Sequence, residues 1–370
     1  MRRLLLVGAG HAHLHVLRTL ARAPLDGVRV TLVNPFRRYH YSGMVPGYLQ
    51  GTYAEAELAI DLPPLCAAAG AELWLGRAER VETAARRVRV DGEALDFDLL
   101  SLDVGSEPAG LDVPGACEHA RHLRPMGDAL AIRSAVDERA RAVRAGGAPV
   151  RVTVVGGGVG AVEVALALHR RIVAEGGRAA VTIVEREEGV VADYAPEARA
   201  RLTSVLTARG ITLVLGRTVT AVQPRGVLLD AGGRRTSDVT VWATGAAPPG
   251  LLARSDLPTR DGYLLVDATL RAADGAPVWG AGDCVTLLDH PEVPKAGVFA
   301  VRQAPVLAHN LLAALRGGAP RAYRPRRHFL SLINTADGRA FYRWHGLSGR
   351  SRLAWLLKDA IDRRWVRRHQ

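Results

Sequence analysis

Glycines at 8 and 10, and again at 156 and 158, sit directly behind an apolar run and ahead of an apolar pattern of helical period. A glycine at the first place of such a pair permits a tight turn. One at the second lets main-chain N–H groups close on a pyrophosphate at the positive end of the following helix. The chemistry suited to this spacing is the grip of a dinucleotide. One short glycine pattern arises easily by chance. Two of them, both in a strand–turn–helix context, imply two nucleotide sites, and a flavin fed by a nicotinamide cofactor needs both.

The first cradle reads Leu4-Leu5-Leu6-Val7-Gly8-Ala9-Gly10-His11-Ala12-His13, followed by Leu14, Leu17 and Leu20 at helical spacing. Gly8, Gly10, His11 and Ala12 are its phosphate-side candidates. His13 stands where a third glycine normally allows close helix–strand packing. This predicts a helix slightly off the sheet, with an imidazole near the phosphates. The next strand, Val28 to Val33, ends at Asn34 rather than at a ribose-binding acid; an amide can still bond a ribose hydroxyl, without charge.

The second cradle is more regular. Val152 to Val155 precede Gly156, Gly157 and Gly158, Ala161 takes the third-glycine place, and Glu163 follows on the helix. The strand Val181–Val184 then ends in Glu185. A carboxylate there accepts from both adenosine ribose hydroxyls and repels a 2′-phosphate, so NADH is expected over NADPH, with neighbouring Arg186 acting against that preference.

The remaining elements must place these turns side by side. Leu99 to Pro108 is an apolar strand ending in a turn at Gly105, and Val239 to Pro248 repeats it with Gly245. The chain thus duplicates its plan, and the fold class expected is α/β, with two Rossmann-like dinucleotide-binding domains. A first domain over 1–115 and 255–325 would be split by a second over 116–254. A β-hairpin and amphipathic helix would follow over 326–370. The segment Arg37 to Gly47, with Ser42 and Gly43, is too rich in glycine and proline for a helix and suits wrapping a flat ring. Pro277 to Asp283 is a strand and turn, where Gly282 and Asp283 suit holding ribityl or phosphate-linked hydroxyls. A helix is predicted from Gly297 to Leu315, kinked or broken at Pro305. Lys295 at its start would stabilise negative charge on a reduced flavin.

Composition narrows the class. The 370 residues are 48% hydrophobic and 23% charged, which describes a folded globular chain. The apolar runs look too short to span a bilayer, and Gly8 cuts the N-terminal run short of a signal-peptide core, so the expected location is the cytoplasm. Cys66, Cys117 and Cys284 form no close pair, which excludes a zinc ribbon and an adjacent redox disulfide. Structural thiols are the default, and a pair meeting in space beside a flavin stays open. Metal is not expected either, because the turn carrying His11, His13 and His15 should hold phosphates.

Net charge is +12 and arginine dominates it, a bias of composition rather than a sign of nucleic acid. Arg321, Arg324, Arg326, Arg327 and His328 make a basic connector. A hairpin follows from Phe329 to Tyr342 around Asp337-Gly338. At the end, Leu353, Leu357, Ile361 and Trp365 recur every four residues, flanked by Trp355 and Leu356. Arg350, Arg352, Lys358, Arg363, Arg364, Arg367 and Arg368 surround them. Such a basic, tryptophan-bearing stripe lies in a membrane interface, on the inner face of the cytoplasmic membrane, or it packs on the flavin domain or on a partner subunit in a homodimer.

These residues together resemble the NADH dehydrogenase-like members of the FAD-dependent pyridine nucleotide–disulfide oxidoreductase family. They are most similar to the oxidoreductase module fused or adjacent to selenide, water dikinase. The likeness is carried by Gly8 to His13, by Tyr41 to Gly47, by Pro294 to Gln303 and by Lys358 to Arg364. It implies FAD at the first cradle, with Ala78 at the adenine and Asp283 on the ribityl–phosphate side. It also implies NADH at the second, with Glu163 near the nicotinamide. Of the alanine–glutamine motif that shapes the quinone site in type II NADH:quinone dehydrogenases, Gln303 is retained and the other glutamines are not. Hydride transfer needs stacking and electrostatics, with Lys295 and Glu163 as the candidate catalytic groups. The activity expected is NADH oxidation through FAD to a quinone or similar small acceptor. Two alternatives remain: a sulfide- or selenide-oxidising enzyme using Cys117 or Cys284, and a non-catalytic flavin-binding subunit.

Overall fold

Strands that are apolar at every position need cover on both faces, and parallel sheets provide it. In the computed structural model, which describes residues 1–143, 147–326 and 328–370, two such sheets form. The first comprises β1 (Arg2–Val7), β2 (Val28–Asn34), β3 (Ala71–Leu75) and β4 (Leu99–Leu102). Leu4 of β1 pairs in parallel with Val30 and Leu99, and Val30 with Ala71. After β1 the chain crosses through α1 (His11–Arg22), whose Leu14, Leu17 and Leu20 are buried.

The second sheet repeats this order. α2 (Met126–Val143) leads into β5 (Val150–Val155), α3 (Val159–Ala174), β6 (Ala179–Val184), α4 (Pro196–Thr207), β7 (Thr212–Val214) and β8 (Val239–Trp242). Val152 pairs with Val181 and Val239, all in parallel. Each unit carries a three-stranded antiparallel ribbon before its last strand, over 78–96 and 219–236. The chain then returns to the first sheet, where β9 (Val278–Gly280) pairs with β4.

α5 (Gly297–Arg316) packs against α1 and runs unbroken through Pro305, contrary to the expected kink. It also exceeds the apolar length expected from the sequence. With 20 residues and a mean hydropathy of 1.3, it is apolar enough to cross a membrane. Its Phe299, Leu307, Leu311 and Leu315 are instead buried against protein, which accounts for that composition. The segment around Ser42 differs from expectation as well. Ser42–Met44 is a 3₁₀ turn and Val45–Gln50 an α-helix. Pro46 falls in the first turn, where a missing N–H costs nothing.

The predicted hairpin forms between Ser331–Asn334 and Ala340–Trp344 and gains a third strand, Leu347–Ser351. Arg327 of the basic connector lies outside the described residues. The last helix, α6 (Arg352–Arg367), reverses the usual amphipathic arrangement. Leu353, Leu356, Leu357 and Ile361 are exposed, at 77%, 51%, 46% and 45%, while Lys358 and Asp362 are buried. Within the stripe only Trp365 turns inward, stacking on Tyr41 with ring centroids 4.4 Å apart. The polar face docks on residues 41–57: Lys358 Nζ donates to Gly43 O at 2.9 Å and to Asp362 Oδ2 at 2.8 Å. Tyr41 and Tyr53 donate to Asp362 and Asp359, at 3.1 and 2.6 Å.

Replacing Asp362 by alanine strands a buried ammonium. It should therefore lower unfolding free energy by about 3–5 kcal/mol in chemical denaturation. Leu353→Ser, on the exposed face, should stay within about 0.5 kcal/mol. Equal effects would mean that α6 is not docked through its polar face.

Candidate nucleotide cradles and the face between them

Gly8 takes φ +88°, and a Cβ there would lie 2.4 Å from Asp103 O, so the turn fits only glycine. Its N–H donates to Val33 O at 2.9 Å, and that of Gly10 to Asp103 O at 3.1 Å. Asn34 ends β2 beside this turn, but its amide is used on main chain. Oδ1 accepts from Ala9 N–H at 3.1 Å, and Nδ2 donates to Phe36 O at 2.8 Å.

His13 corrects the sequence expectation. Its ring is fully buried under the helix, with Nδ1 2.6 Å from Gly8 O and Nε2 2.8 Å from Ser101 Oγ. It joins the glycine turn to β4 instead of approaching phosphates, and burial lowers its pKa to about 4. His11, at the start of α1, is packed among aromatic rings. It is enclosed by Tyr39, whose hydroxyl is 3.1 Å from its Nδ1, and by Tyr41 and Trp365. Burial lowers its pKa also to about 4, so it is neutral near pH 7.

Asp103, just past β4, carried no signal as a single residue. It is 3% exposed, and Oδ2 accepts from the N–H groups of Ala12 and His13 at 2.7 and 2.9 Å. Aligning the duplicated strand ends would have exposed it, because the equivalent residue after β8 is Ala243. Arg124 and Ser106 were missed likewise. Ser106 donates to Asp283 Oδ2 at 3.2 Å, and the Arg124 guanidinium lies 3.6 Å from the same oxygen.

Gly105 and Gly282 both adopt positive φ, and nothing crowds a Cβ built on Gly105. Gln303, from α5, accepts from Gly282 N–H at 2.7 Å. Lys295 lies 4.0 Å over the Tyr263 ring, bonded to Val285 O and Thr286 Oγ1. Burial lowers its pKa. Asp283, Lys295 and Gln303 therefore line one small cavity at the start of α5. Ala78 opens the ribbon strand Ala78–Glu82, paired with Val90. Gly43 packs against the Tyr41 ring, and Ser42 opens the 3₁₀ turn before it.

At the second cradle Gly156 takes φ +111° and Gly158 caps α3. Among the described residues, nothing accepts from the N–H groups of Val159, Gly160 and Ala161. Glu185 lies against Gly157 and accepts from Glu187 N–H at 2.9 Å. Gly245, after β8, is open at its α-carbon. Glu163 is buried on α3, where Oε1 accepts from Asn334 N–H at 2.7 Å. Burial raises its acid to about 7, against the pull of Lys358. Glu163, Lys358, Asp362, Tyr41 and Gly43 thus meet where the two units and the C-terminal segment converge.

All three cysteines are free, so the pairing left open by the sequence is absent. Cys117 is exposed, and Cys284 is buried, its thiol pushed up to about 12 by burial. A thiol held protonated there is a poor nucleophile.

The second cradle fits a dinucleotide without rearrangement, because its helix N–H groups are open. The first has the bare glycines and the flanking polar groups a flavin dinucleotide requires, with Asp103 already on two of its helix N–H groups.

The same architecture occurs in known proteins. The chain is 21% identical over 387 residues to a type II NADH:quinone oxidoreductase of Staphylococcus epidermidis, covering 99% of this chain and 95% of that one. A sulfide:quinone oxidoreductase from Aquifex aeolicus superposes with a TM-score of 0.81 at 18% identity, covering 100% and 92% of the two chains. NDH2 from Plasmodium falciparum, in complex with NADH, superposes with a TM-score of 0.82 at 13% identity, covering 100% and 97%. The family model described as pyridine nucleotide-disulphide oxidoreductase matches residues 2–309. With both cradles in place and that match spanning them, the chain belongs to the pyridine nucleotide-disulphide oxidoreductase family.

Proposed function

We propose that this protein is an FAD-dependent NADH oxidoreductase that delivers electrons to a quinone or a similar small acceptor at a membrane surface. The observation that carries the reading is the pair of glycine cradles on parallel sheets in one chain, with Glu185 at the end of the strand that follows the second. The full-length likeness to a type II NADH:quinone oxidoreductase supports both donor and acceptor. The division into 1–115 with 255–325, 116–254 and 326–370 is part of this proposal, and the return of β9 to the first sheet supports it.

FAD, when bound, supplies a ring that takes a hydride and releases electrons onward. The protein's contribution is grip, orientation and electrostatics. The N–H groups of Val159, Gly160 and Ala161 hold the NADH pyrophosphate, and Glu185 binds the adenosine ribose. Asp283, set by Ser106 and Arg124, orients the ribityl side of FAD. Lys295 and the start of α5 would stabilise negative charge on the reduced flavin ring. Ala78 lines the adenine end, Gly105 and Gly245 leave room for backbone contact, and Gly282 makes space for the Asp103 carboxylate. Glu163, buried and held by Asn334 N–H, is assigned to the nicotinamide end. Tyr41 and Trp365, stacked at 4.4 Å, exclude water from the inner side of α6.

The outer face of α6 supplies the membrane contact. Its Leu353, Leu356, Leu357 and Ile361 are exposed, and Arg352, Arg364, Arg367 and Arg368 border them, as suits an interface with anionic lipid. Deleting α6 would also remove Lys358 and Asp362 from the site, so point changes separate the roles.

Glu185→Arg should lower kcat/KM for NADH relative to NADPH by about tenfold or more, a shift of roughly 1.4 kcal/mol; an unchanged ratio removes Glu185 from the ribose site. Changing Leu353, Leu357 and Ile361 together to glutamate should abolish co-sedimentation with anionic vesicles and leave the flavin absorbance intact. Retained sedimentation, or a shift from dimer to monomer with no change in vesicle binding, would assign the stripe to protein contact instead.

A further inference from the structure

The two cradles are near-copies in backbone and opposites in hydrogen bonding. Gly10 caps α1 with φ −68° and ψ 178°, and Gly158 caps α3 with φ −69° and ψ 175°. Both glycine turns press on the end of the neighbouring strand: a Cβ on Gly8 would meet Asp103 O at 2.4 Å, and one on Gly156 would meet Ala243 O at 2.5 Å. Asp103 and Ala243 therefore hold equivalent places and differ in side chain.

At the second cradle the alanine methyl leaves the first turn of α3 untouched. At the first, the carboxylate bends onto α1 and bonds the N–H groups of Ala12 and His13. Two glycines make space for it. A Cβ on Gly10 would lie 2.3 Å from the carboxylate, and one on Gly282 would lie 2.8 Å away. Val33 O, Asn34 and Asp103 O take the N–H groups of Gly8, Ala9 and Gly10. Of the six N–H groups from Gly8 to His13, only that of His11 has no acceptor among the described residues. An anion belonging to the chain already occupies the positive end of this helix.

We infer that Asp103 makes dinucleotide loading at the first cradle proton-linked: the incoming pyrophosphate replaces the carboxylate as the helix's anion, and Asp103 yields by taking up a proton. This rests on the assignment of FAD to that cradle. Two anions cannot share one buried helix terminus cheaply, because like charges in a dry site oppose ionisation of the weaker acid. Burial raises the Asp103 acid to about 7, the Ala12 and His13 bonds pull it back, and Asp283 across the turn raises it further.

His11, His13, Cys284 and Tyr39, around it, keep one protonation state through this range. His11 and His13 on α1 are neutral, with values lowered to about 4, and Cys284 beside β9 is protonated, raised to about 12. Tyr39 on the strand Arg38–His40 is raised well above its ordinary value by burial. Asp283 is itself faced by Arg124, and Lys295 lies beyond it. A bound phosphate raises the Asp103 acid once more. Binding then takes up a proton, and affinity falls as pH rises through about 7, approaching tenfold per pH unit.

The test dilutes the full-length flavoprotein from about pH 6 to about pH 8.5 and follows free FAD by its recovered fluorescence. NADH binding to each sample at the second cradle serves as the folding control. In wild type the FAD Kd should rise about tenfold per unit above pH 7. Asp103→Asn keeps an oxygen for the Ala12 and His13 N–H groups but carries no charge. It should show a flat profile and tighter FAD binding than wild type at pH 8. A flat wild-type profile, or an unchanged slope in Asp103→Asn, overturns the inference while FAD itself stays assigned. Loss of FAD from folded Asp103→Asn at every pH overturns it too, by making Asp103 a direct ligand. A wild-type chain that binds NADH but no FAD at any pH removes the assignment, and the inference with it.

Discussion

Main-chain N–H groups in the first turn of an α-helix have no partner within the helix, and they concentrate positive potential at one end. Both nucleotide cradles of this chain are built around that condition. In each, a β-strand delivers the chain to a glycine turn that aims those groups outward, and a glycine of positive φ fixes the angle of approach. The neighbouring strand decides what answers them. Ala243 leaves the N–H groups of α3 open, whereas Asp103 answers two of those on α1. Duplication fixed the scaffold twice, and one side chain set the two copies apart.

The C-terminal helix shows a different constraint at work. Burying Lys358 requires a compensating carboxylate and a carbonyl, and Asp362 and Gly43 supply them. That pairing turns the charged face of α6 inward and leaves its leucines outside. Position follows from electrostatics here rather than from the hydrophobic pattern. The same rotation places Trp365 on Tyr41 and brings Asp362 near Glu163, so the element that presents apolar surface outward also closes the convergence of the two units inward.

Much of this was legible in the chain. Continuous apolar strands, the glycine pairs and the repeated strand ends at Gly105 and Gly245 announced two parallel sheets with nucleotide cradles, because each rests on local geometry. The helix at Val45–Gln50 was hidden by Pro46, which a first turn tolerates. His13 and Asp103 were hidden for another reason. Their roles depend on which side of a packed helix they reach, and one residue of context cannot show that. The orientation of α6 was similarly concealed, since its apolar period is equally compatible with facing in or out, and only its ion partners on residues 41–57 settle it.

The proposed function requires that one polypeptide hold a flavin and a nicotinamide dinucleotide with their reactive rings in contact. Anaerobic stopped-flow mixing of the purified chain with NADH tests it most directly. A visible flavin band that bleaches in a single turnover, at one NADH per flavin, is the result this structure predicts. A colourless protein that acquires no flavin on incubation, or a yellow one that NADH leaves oxidised, would contradict it.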